Sequence, residues 1–348
     1  MSEKTMFGVV LTGHGGPEKL EWRDDLPRPE PGPGEVLVRV RASAVNNTDI
    51  NTRVGWYSRK GNAAEDASWG GKPLRFPLIQ GIDACGMVED AGAGVDPDLI
   101  GKRVLVEPCI RQRNGRRLAT PEYLGSEMDG AFAEYLVVPA VNAHPIDSPL
   151  SDEELATFPC SWSTAENMLS RAGAARGERV LVTGASGGVG SAAVQLAAAR
   201  GCEVVAVSKP DKAPVLLDIG ATEVIGRDED PKTRFGEASF DLVVDLVGGP
   251  AFPTLLSVLR HRGRYAVAGA VGGPVVDLDL RDLYLKDLTL YGCTELDDGV
   301  FAGLVRWIES GQVRPLLARS YSLRDIRDAQ EAFASKRHVG KIGLKIER

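Results

Sequence analysis

The chain is short of the residues that build metal clusters and cross-links. It has five cysteines and four histidines in 348 residues. Cys85, Cys109, Cys160, Cys202 and Cys293 are scattered, with no Cys-x-x-Cys pair. That excludes a disulfide framework and a clustered zinc site, and it leads us to expect a reducing, cytoplasmic compartment. No apolar run is long enough to span a membrane, and no charged-then-apolar leader opens the sequence. A basic excess is also missing: Lys and Arg number 41 against 48 Asp and Glu, a net charge of −7. Nucleic-acid and membrane partners are therefore not expected. The one basic run, Arg111-Gln112-Arg113-Asn114-Gly115-Arg116-Arg117, reads as a solvated loop.

What the chain does have is glycine in a telling place. Val180-Leu181-Val182-Thr183 runs into Gly184-Ala185-Ser186-Gly187-Gly188-Val189-Gly190, and an alanine-rich stretch of helix formers follows from Ser191 to Arg200. Strand, glycine turn and helix are the setting of a dinucleotide-binding fingerprint. Gly184, Gly187 and Gly190 let the backbone turn tightly and come close to a pyrophosphate. Ser186, Gly188 and Val189 complete the loop, and the helix N-terminus offers N–H groups to the anion.

The same stretch also fits G-x-S-x-G, the nucleophile elbow of an α/β-hydrolase with Ser186 as nucleophile. That reading needs a later histidine, and only His261 and His338 follow. It gives Gly190 no role. Some 20 residues on, where an NAD-binding acid would stand, the chain reads Val207-Ser208-Lys209-Pro210-Asp211-Lys212. A hydroxyl and two cations at Ser208, Lys209 and Lys212 suit the 2′-phosphate of NADP(H) rather than two ribose hydroxyls.

Along the chain, the first 150 residues read as short strands broken by Pro and Gly, a β-rich and partly open barrel. Val36, Val38 and Val40 alternate on one strand. Segments 56–75 and 110–128 read as irregular loops at a substrate pocket. Ser151 and Glu154 form a capping box. From Arg179 strands and helices alternate, the signature of a doubly wound parallel sheet. Two amphipathic helices at 301–310 and 325–336 precede a terminal strand from Gly340.

Several blocks then carry a resemblance. Gly34-Glu35-Val36-Leu37-Val38, Asn46-Asn47-Thr48-Asp49, Gly81-Ile82-Asp83, Phe132-Ala133-Glu134-Tyr135, Cys160-Ser161-Trp162-Ser163-Thr164-Ala165, Ser208 with Lys212, Gly220-Ala221, Asp245-Leu246-Val247-Gly248-Gly249 and Gly340-Lys341 resemble the medium-chain dehydrogenase/reductase superfamily along its whole length. The resemblance implies an α/β protein with a GroES-like catalytic domain (1–150 and 298–348) around a Rossmann NADP-binding domain (151–297). Where zinc-dependent alcohol dehydrogenases carry ligands, this chain has Asn46, Ile82 and Cys160. Cys109 stands alone in the region of the structural zinc, so neither metal is expected.

Zinc-free members resemble quinone oxidoreductases and enone or enoyl reductases. An alcohol or aldehyde dehydrogenase is the alternative, and a non-catalytic cofactor-binding protein a further one. The resemblance offers Asn46, Asn47 and Thr48 as donors to a substrate oxygen. It makes Tyr57 either a proton donor or a packing aromatic. It places Thr164 at the nicotinamide, Lys341 at the cofactor's phosphate or ribose, and Val247 and Gly269 among the other cofactor contacts. It also implies a homodimer joined near Leu288–Tyr291.

Overall fold

The computed structural model describes residues 5–58, 68–69, 73–113 and 115–348. Most of the 56–75 segment that reads as a substrate loop lies outside these residues. The chain forms two compact units, one running to Cys160 and resuming at Pro315–Arg348, the other spanning Ser161–Arg314. These borders fall later than residues 150 and 298. The helix Asp152–Leu155, capped by Ser151 as the sequence indicates, packs on strand Glu35–Ala44 in the first unit. In the second, Gln195 exchanges hydrogen bonds with the backbone of Arg314 at 3.1 and 3.0 Å, tying the 300–314 segment to the parallel sheet.

The first unit is built on strand Glu35–Ala44. Val36, Val38 and Val40 are buried as their alternation indicates; on the opposite face Leu37 and Ser43 are buried while Arg39 and Arg41 are exposed, so only the ends of that face are covered. It pairs antiparallel with Cys85–Ala91, Tyr135–Pro139 and the late strand Lys341–Lys345 in a seven-stranded sheet. A three-stranded sheet of Leu20–Pro27, Thr5–Leu11 and Leu78–Ile79 packs with it around Leu11, Ile82 and Phe132. The 110–128 segment is not an irregular loop. Cys109–Arg113 and Arg116–Tyr123 form an antiparallel hairpin. It lacks apolar alternation because paired charge helps hold it: Arg113 reaches Glu122 at 2.9 Å and Glu35 at 3.3 Å.

The second unit is a six-stranded parallel sheet. Its strands, first to sixth, are Arg179–Val182, Glu203–Ser208, Glu223–Gly226, Phe240–Asp245, Leu259–Val267 and Thr289–Gly292. Their spatial order is third, second, first, fourth, fifth, sixth, that of a Rossmann sheet. The central strands are near-continuous apolar runs because both faces are covered: Val180–Val182, Val204–Ala206 and Leu242–Val244 have no exposed surface. The helix after the fourth strand, Phe252–Ser257, stops before Leu259, which pairs with Phe240 as the fifth strand begins. Among the described residues no helix is long and apolar enough to cross a membrane.

Candidate active site

The first strand of the parallel sheet delivers the chain into the glycine turn. Gly184 has a φ of +58°, a left-handed conformation that favours glycine. The following helix, Gly188–Ala199, lies so close to the turn that a Cβ on Gly190 would sit 2.3 Å from the Gly184 carbonyl oxygen. Gly187 differs. It is exposed, its φ is −77°, and a Cβ there would meet only the Gly184 oxygen at an ordinary 3.5 Å. Neither the backbone nor the packing of this chain demands a glycine at 187. It is the N-cap of the helix, no side chain caps it, and the N–H groups of Gly188, Val189 and Gly190 precede the first intrahelical bond, Ser191 N to Gly187 O at 2.9 Å. This is an open anion cradle. Ser186 is half-buried with no histidine partner among the described residues, so the elbow reading lacks its base.

The Ala185 N–H donates to the Val207 carbonyl at 3.2 Å, which sets the turn beside the end of the second strand. There Ser208 is buried, Lys209 is exposed, and the Lys212 ammonium lies 3.3 Å from Asp211. On the other side of the turn stands Val247, whose Cγ2 would lie 3.3 Å from a Cβ on Gly184. Gly269 must be small as well, because a Cβ there would meet the Leu246 oxygen at 2.5 Å. Thr164 is half-buried on helix Pro159–Arg171.

In the first unit, Asn46, Asp49, Asp83, Cys160 and Lys341 meet in one buried cluster. The Lys341 ammonium donates to Asp83 at 2.8 Å and to the Asn46 amide oxygen. The Asn46 amide nitrogen donates to Asp83 at 2.8 Å and to the Ala44 carbonyl at 3.1 Å. The other Asp83 oxygen accepts the Cys160 N–H at 2.7 Å. Asp83 has no exposed surface, and the Lys341 side chain is 3 % exposed. Two of the expected site residues are therefore engaged with one another: both ends of the Asn46 amide have partners, and Lys341, expected at the cofactor's phosphate or ribose, is held in a buried ion pair with Asp83.

The donor set does not fit zinc. Ile82 is apolar and buried, the Asn46 oxygen is taken by an ammonium, and burial with the nearby Asp83 charge pushes the Cys160 thiol well up, against the thiolate zinc requires. Among the described residues no three His, Cys, Asp or Glu side chains are grouped to hold a metal.

Asn46 also caps helix Asn47–Val54, and its N–H donates to the Asp49 carboxylate at 2.8 Å. Burial, helped by the neighbouring Asp83 charge, raises Asp49 from 3.8 to about 7. The folded state thus holds a proton that the unfolded chain releases near pH 4, so Asp49 costs stability as pH rises to about 7 and no further beyond it. Asp49→Asn removes that slope. Its melting temperature relative to wild type should rise between pH 4 and 7 and then level off. A difference independent of pH would show that Asp49 does not titrate in this range.

On the same helix Thr48 is buried, and Asn47 is exposed and accepts a hydrogen bond from Lys336 at 2.9 Å. Tyr57 follows the helix, half-buried in an edge-to-face chain of rings: Trp56 at 5.3 Å, Tyr57, Trp69 at 6.1 Å, and Tyr123 4.5 Å beyond it. Burial raises its phenol, while hydrogen bonding with the Thr48 and Asn51 side chains opposes that shift.

Residues 32–148 match the family described as alcohol dehydrogenase GroES-like domain, and residues 188–310 match zinc-binding dehydrogenase. An acryloyl-coenzyme A reductase of Metallosphaera sedula is 31 % identical over 97 % of this chain and 99 % of its own length. The chain belongs to the medium-chain dehydrogenase/reductase superfamily. A quinone oxidoreductase of Lama guanicoe is 28 % identical over 99 % of both chains. A Sinorhizobium meliloti 1021 structure assigned to the alcohol dehydrogenases is 46 % identical, with a TM-score of 0.91 over 99 % of this chain and 97 % of that one. As a medium-chain dehydrogenase/reductase, the protein is an NAD(P)-dependent oxidoreductase with a GroES-like domain and a Rossmann domain.

Proposed function

We propose that this medium-chain dehydrogenase/reductase is an NADP(H)-dependent, zinc-independent reductase. Its acceptor is the β-carbon of an activated C=C bond, in an enone or enoyl thioester, or a quinone. The observation that carries the cofactor site is Gly187: a glycine that the chain's own geometry does not require stands at the open end of a helix, where a pyrophosphate oxygen would come closest. Ser208, Lys209 and Lys212 favour the 2′-phosphate. The names of the acryloyl-coenzyme A and quinone relatives support the acceptor class.

When bound, the nicotinamide supplies the hydride. The chain's part is to orient the acceptor and to meet the charge that grows on its carbonyl oxygen. Thr48 and the Asn47 amide are the donors for that oxygen, and the Tyr57 phenol supplies the proton. Thr164, Val247 and Gly269 take the nicotinamide side of the cofactor. Alcohol dehydrogenation is the second reading, favoured by the Sinorhizobium neighbour. The Asn46–Asp83–Lys341 cluster weighs against it, because an ammonium sits among residues that would have to hold the activating metal.

The sixth strand, last in the sheet, carries exposed Leu290 and is preceded by exposed Tyr284 and Leu285, which supports a homodimer joined along this edge. Oxidation of NADPH and NADH is to be followed in parallel with enones, enoyl thioesters, quinones and aldehydes. Turnover of enones, thioesters or quinones with NADPH preferred is the expected result; equal rates with NADH would remove the role given to Ser208, Lys209 and Lys212. Gly187→Ala should melt within about 2 °C of wild type, since its Cβ fits, yet bind NADPH about tenfold more weakly. Unchanged affinity would refute the cradle.

A further inference from the structure

The first and fourth strands of the parallel sheet are where its strand order reverses, and a pair of polar side chains joins their carboxyl ends. The Thr183 hydroxyl donates to one oxygen of Asp245, and the Tyr265 phenol, from the fifth strand, donates to the other. All three are buried: Asp245 completely, Tyr265 at 2 % and Thr183 at 6 % exposure. The same carboxylate then turns to the chain that follows it. It accepts the Val247 N–H at 2.9 Å and the Gly248 N–H at 3.2 and 3.1 Å, one contact to each oxygen. Thr183 adds to the arrangement by accepting the Leu246 N–H at 2.9 Å.

Three consecutive N–H groups of the 246–248 loop are thus fixed by two side chains at the switch point. Ligands of open parallel sheets bind just outside such a point. The loop is also fixed from above: Gly272 N–H donates to the Val247 carbonyl at 2.7 Å, and Gly249 N–H to the Gly273 carbonyl at 3.1 Å. Val247 is thereby set against Gly184, the first glycine of the turn.

We propose that Asp245, gripped by Thr183 and Tyr265, is a positioning residue that holds the Leu246–Gly249 loop against the glycine turn and thereby sets the affinity for the dinucleotide. The proposal rests on the reading of the glycine turn as a dinucleotide site. Sheet stability alone does not call for this arrangement. A buried carboxylate is expensive to desolvate, and apolar residues at the three positions would join the strands without it. Besides Thr183 and Tyr265, its partners are the N–H groups of the loop, whose Leu246 and Val247 side chains lie against Gly184 of the turn.

The test compares Thr183→Val with Thr183→Ser. Valine keeps the shape and loses both the hydroxyl donated to Asp245 and the acceptor of Leu246; serine restores both. NADPH binding by fluorescence titration, KM for NADPH and for the acceptor, and the melting curve are measured on each full-length protein. Thr183→Val should raise the dissociation constant and the KM for NADPH about tenfold, as expected for two lost hydrogen bonds, with little change in the KM of the acceptor. Thr183→Ser should return both to within about twofold. A variant that melts earlier yet keeps the wild-type KM for NADPH would reduce the triad to a structural staple and overturn the proposal.

Should Thr183→Val fail to fold, Tyr265→Phe serves instead. It keeps the edge-to-face packing on Phe252 at 5.2 Å and removes one donor. A rise of about threefold in the NADPH dissociation constant is expected, and wild-type binding overturns the proposal. If the wild-type protein binds neither NADPH nor NADH, the reading of the site has failed and this proposal with it. If the wild type binds and the variants match it, only the positioning role is lost.

Discussion

Lys341→Met is expected to lower the free energy of unfolding by ~3–5 kcal/mol, the cost of leaving a buried charge without its partner. Asp83 has no exposed surface and keeps only neutral donors once the ammonium is gone: the Asn46 amide at 2.8 Å and the Cys160 N–H at 2.7 Å. The Asn46 oxygen loses its donor in the same step. Removing both charges, in Asp83→Asn with Lys341→Met, should recover most of the loss, because the desolvation penalty of the pair disappears with it. Urea unfolding of the two variants against wild type gives the answer. A loss of less than about 1 kcal/mol in the single variant, the level of an exposed ion pair, would mean that water reaches the cluster. The pair also bears on Asp49, whose proton affinity the Lys341 charge lowers. Loss of the ammonium should therefore move the pH dependence described for Asp49 to higher pH.

Tyr57→Phe should cut kcat on an enone or quinone by about 100-fold, the lower end of what a positioned general acid contributes, while NADPH affinity stays unchanged. The substitution keeps the ring and hence its edge-to-face contacts with Trp56 and Trp69. It removes only the hydroxyl that hydrogen-bonds with Thr48 and Asn51. Loss of packing and loss of chemistry are therefore separable at this position. Steady-state rates with saturating NADPH measure the effect. A kcat within about threefold of wild type would return Tyr57 to the role of a packing aromatic, well short of general-acid magnitudes.

The sequence disclosed the Rossmann half almost completely, because its signals are local. Fully buried β-branched runs, glycine at the turn and helix formers behind it each lie within a dozen residues of one another. The parallel, doubly wound sheet followed from alternation, whereas its strand order is a finding of the structure. The hairpin of Cys109–Arg113 and Arg116–Tyr123 was illegible because paired charges stand where apolar alternation would have marked a strand. Arg113 reads, with the rest of the 111–117 run, as part of a solvated loop, and its partners Glu122 and Glu35 show only in the structure.

The cluster around Asp83 was hidden for a different reason. Asn46 and Asp83 lie 37 residues apart and Lys341 a further 258 beyond Asp83, and nothing near any one of them announces the other two. The resemblance offers Asn46 as a substrate donor and Lys341 as a cofactor contact; neither reading discloses that the two pair with Asp83. Thr183 and Asp245 escaped similarly. Thr183 follows the first strand and Asp245 ends the fourth, and only the register that sets Val182 beside Val244 brings them side by side.

Lys341 opens the strand that closes the seven-stranded sheet, and that strand is made only after the whole of the second unit. On the ribosome, the Ser161–Arg314 unit is contiguous and can fold as soon as it emerges, whereas the Asp83 carboxylate must wait for a counter-charge nearly 260 residues downstream. Until then the first unit lacks the strands Leu317–Ser322 and Lys341–Lys345, the helix Ile326–Ala334 and the counter-charge of Asp83. The first unit can thus be completed only once the second has been synthesised, although most of the first unit precedes it along the chain.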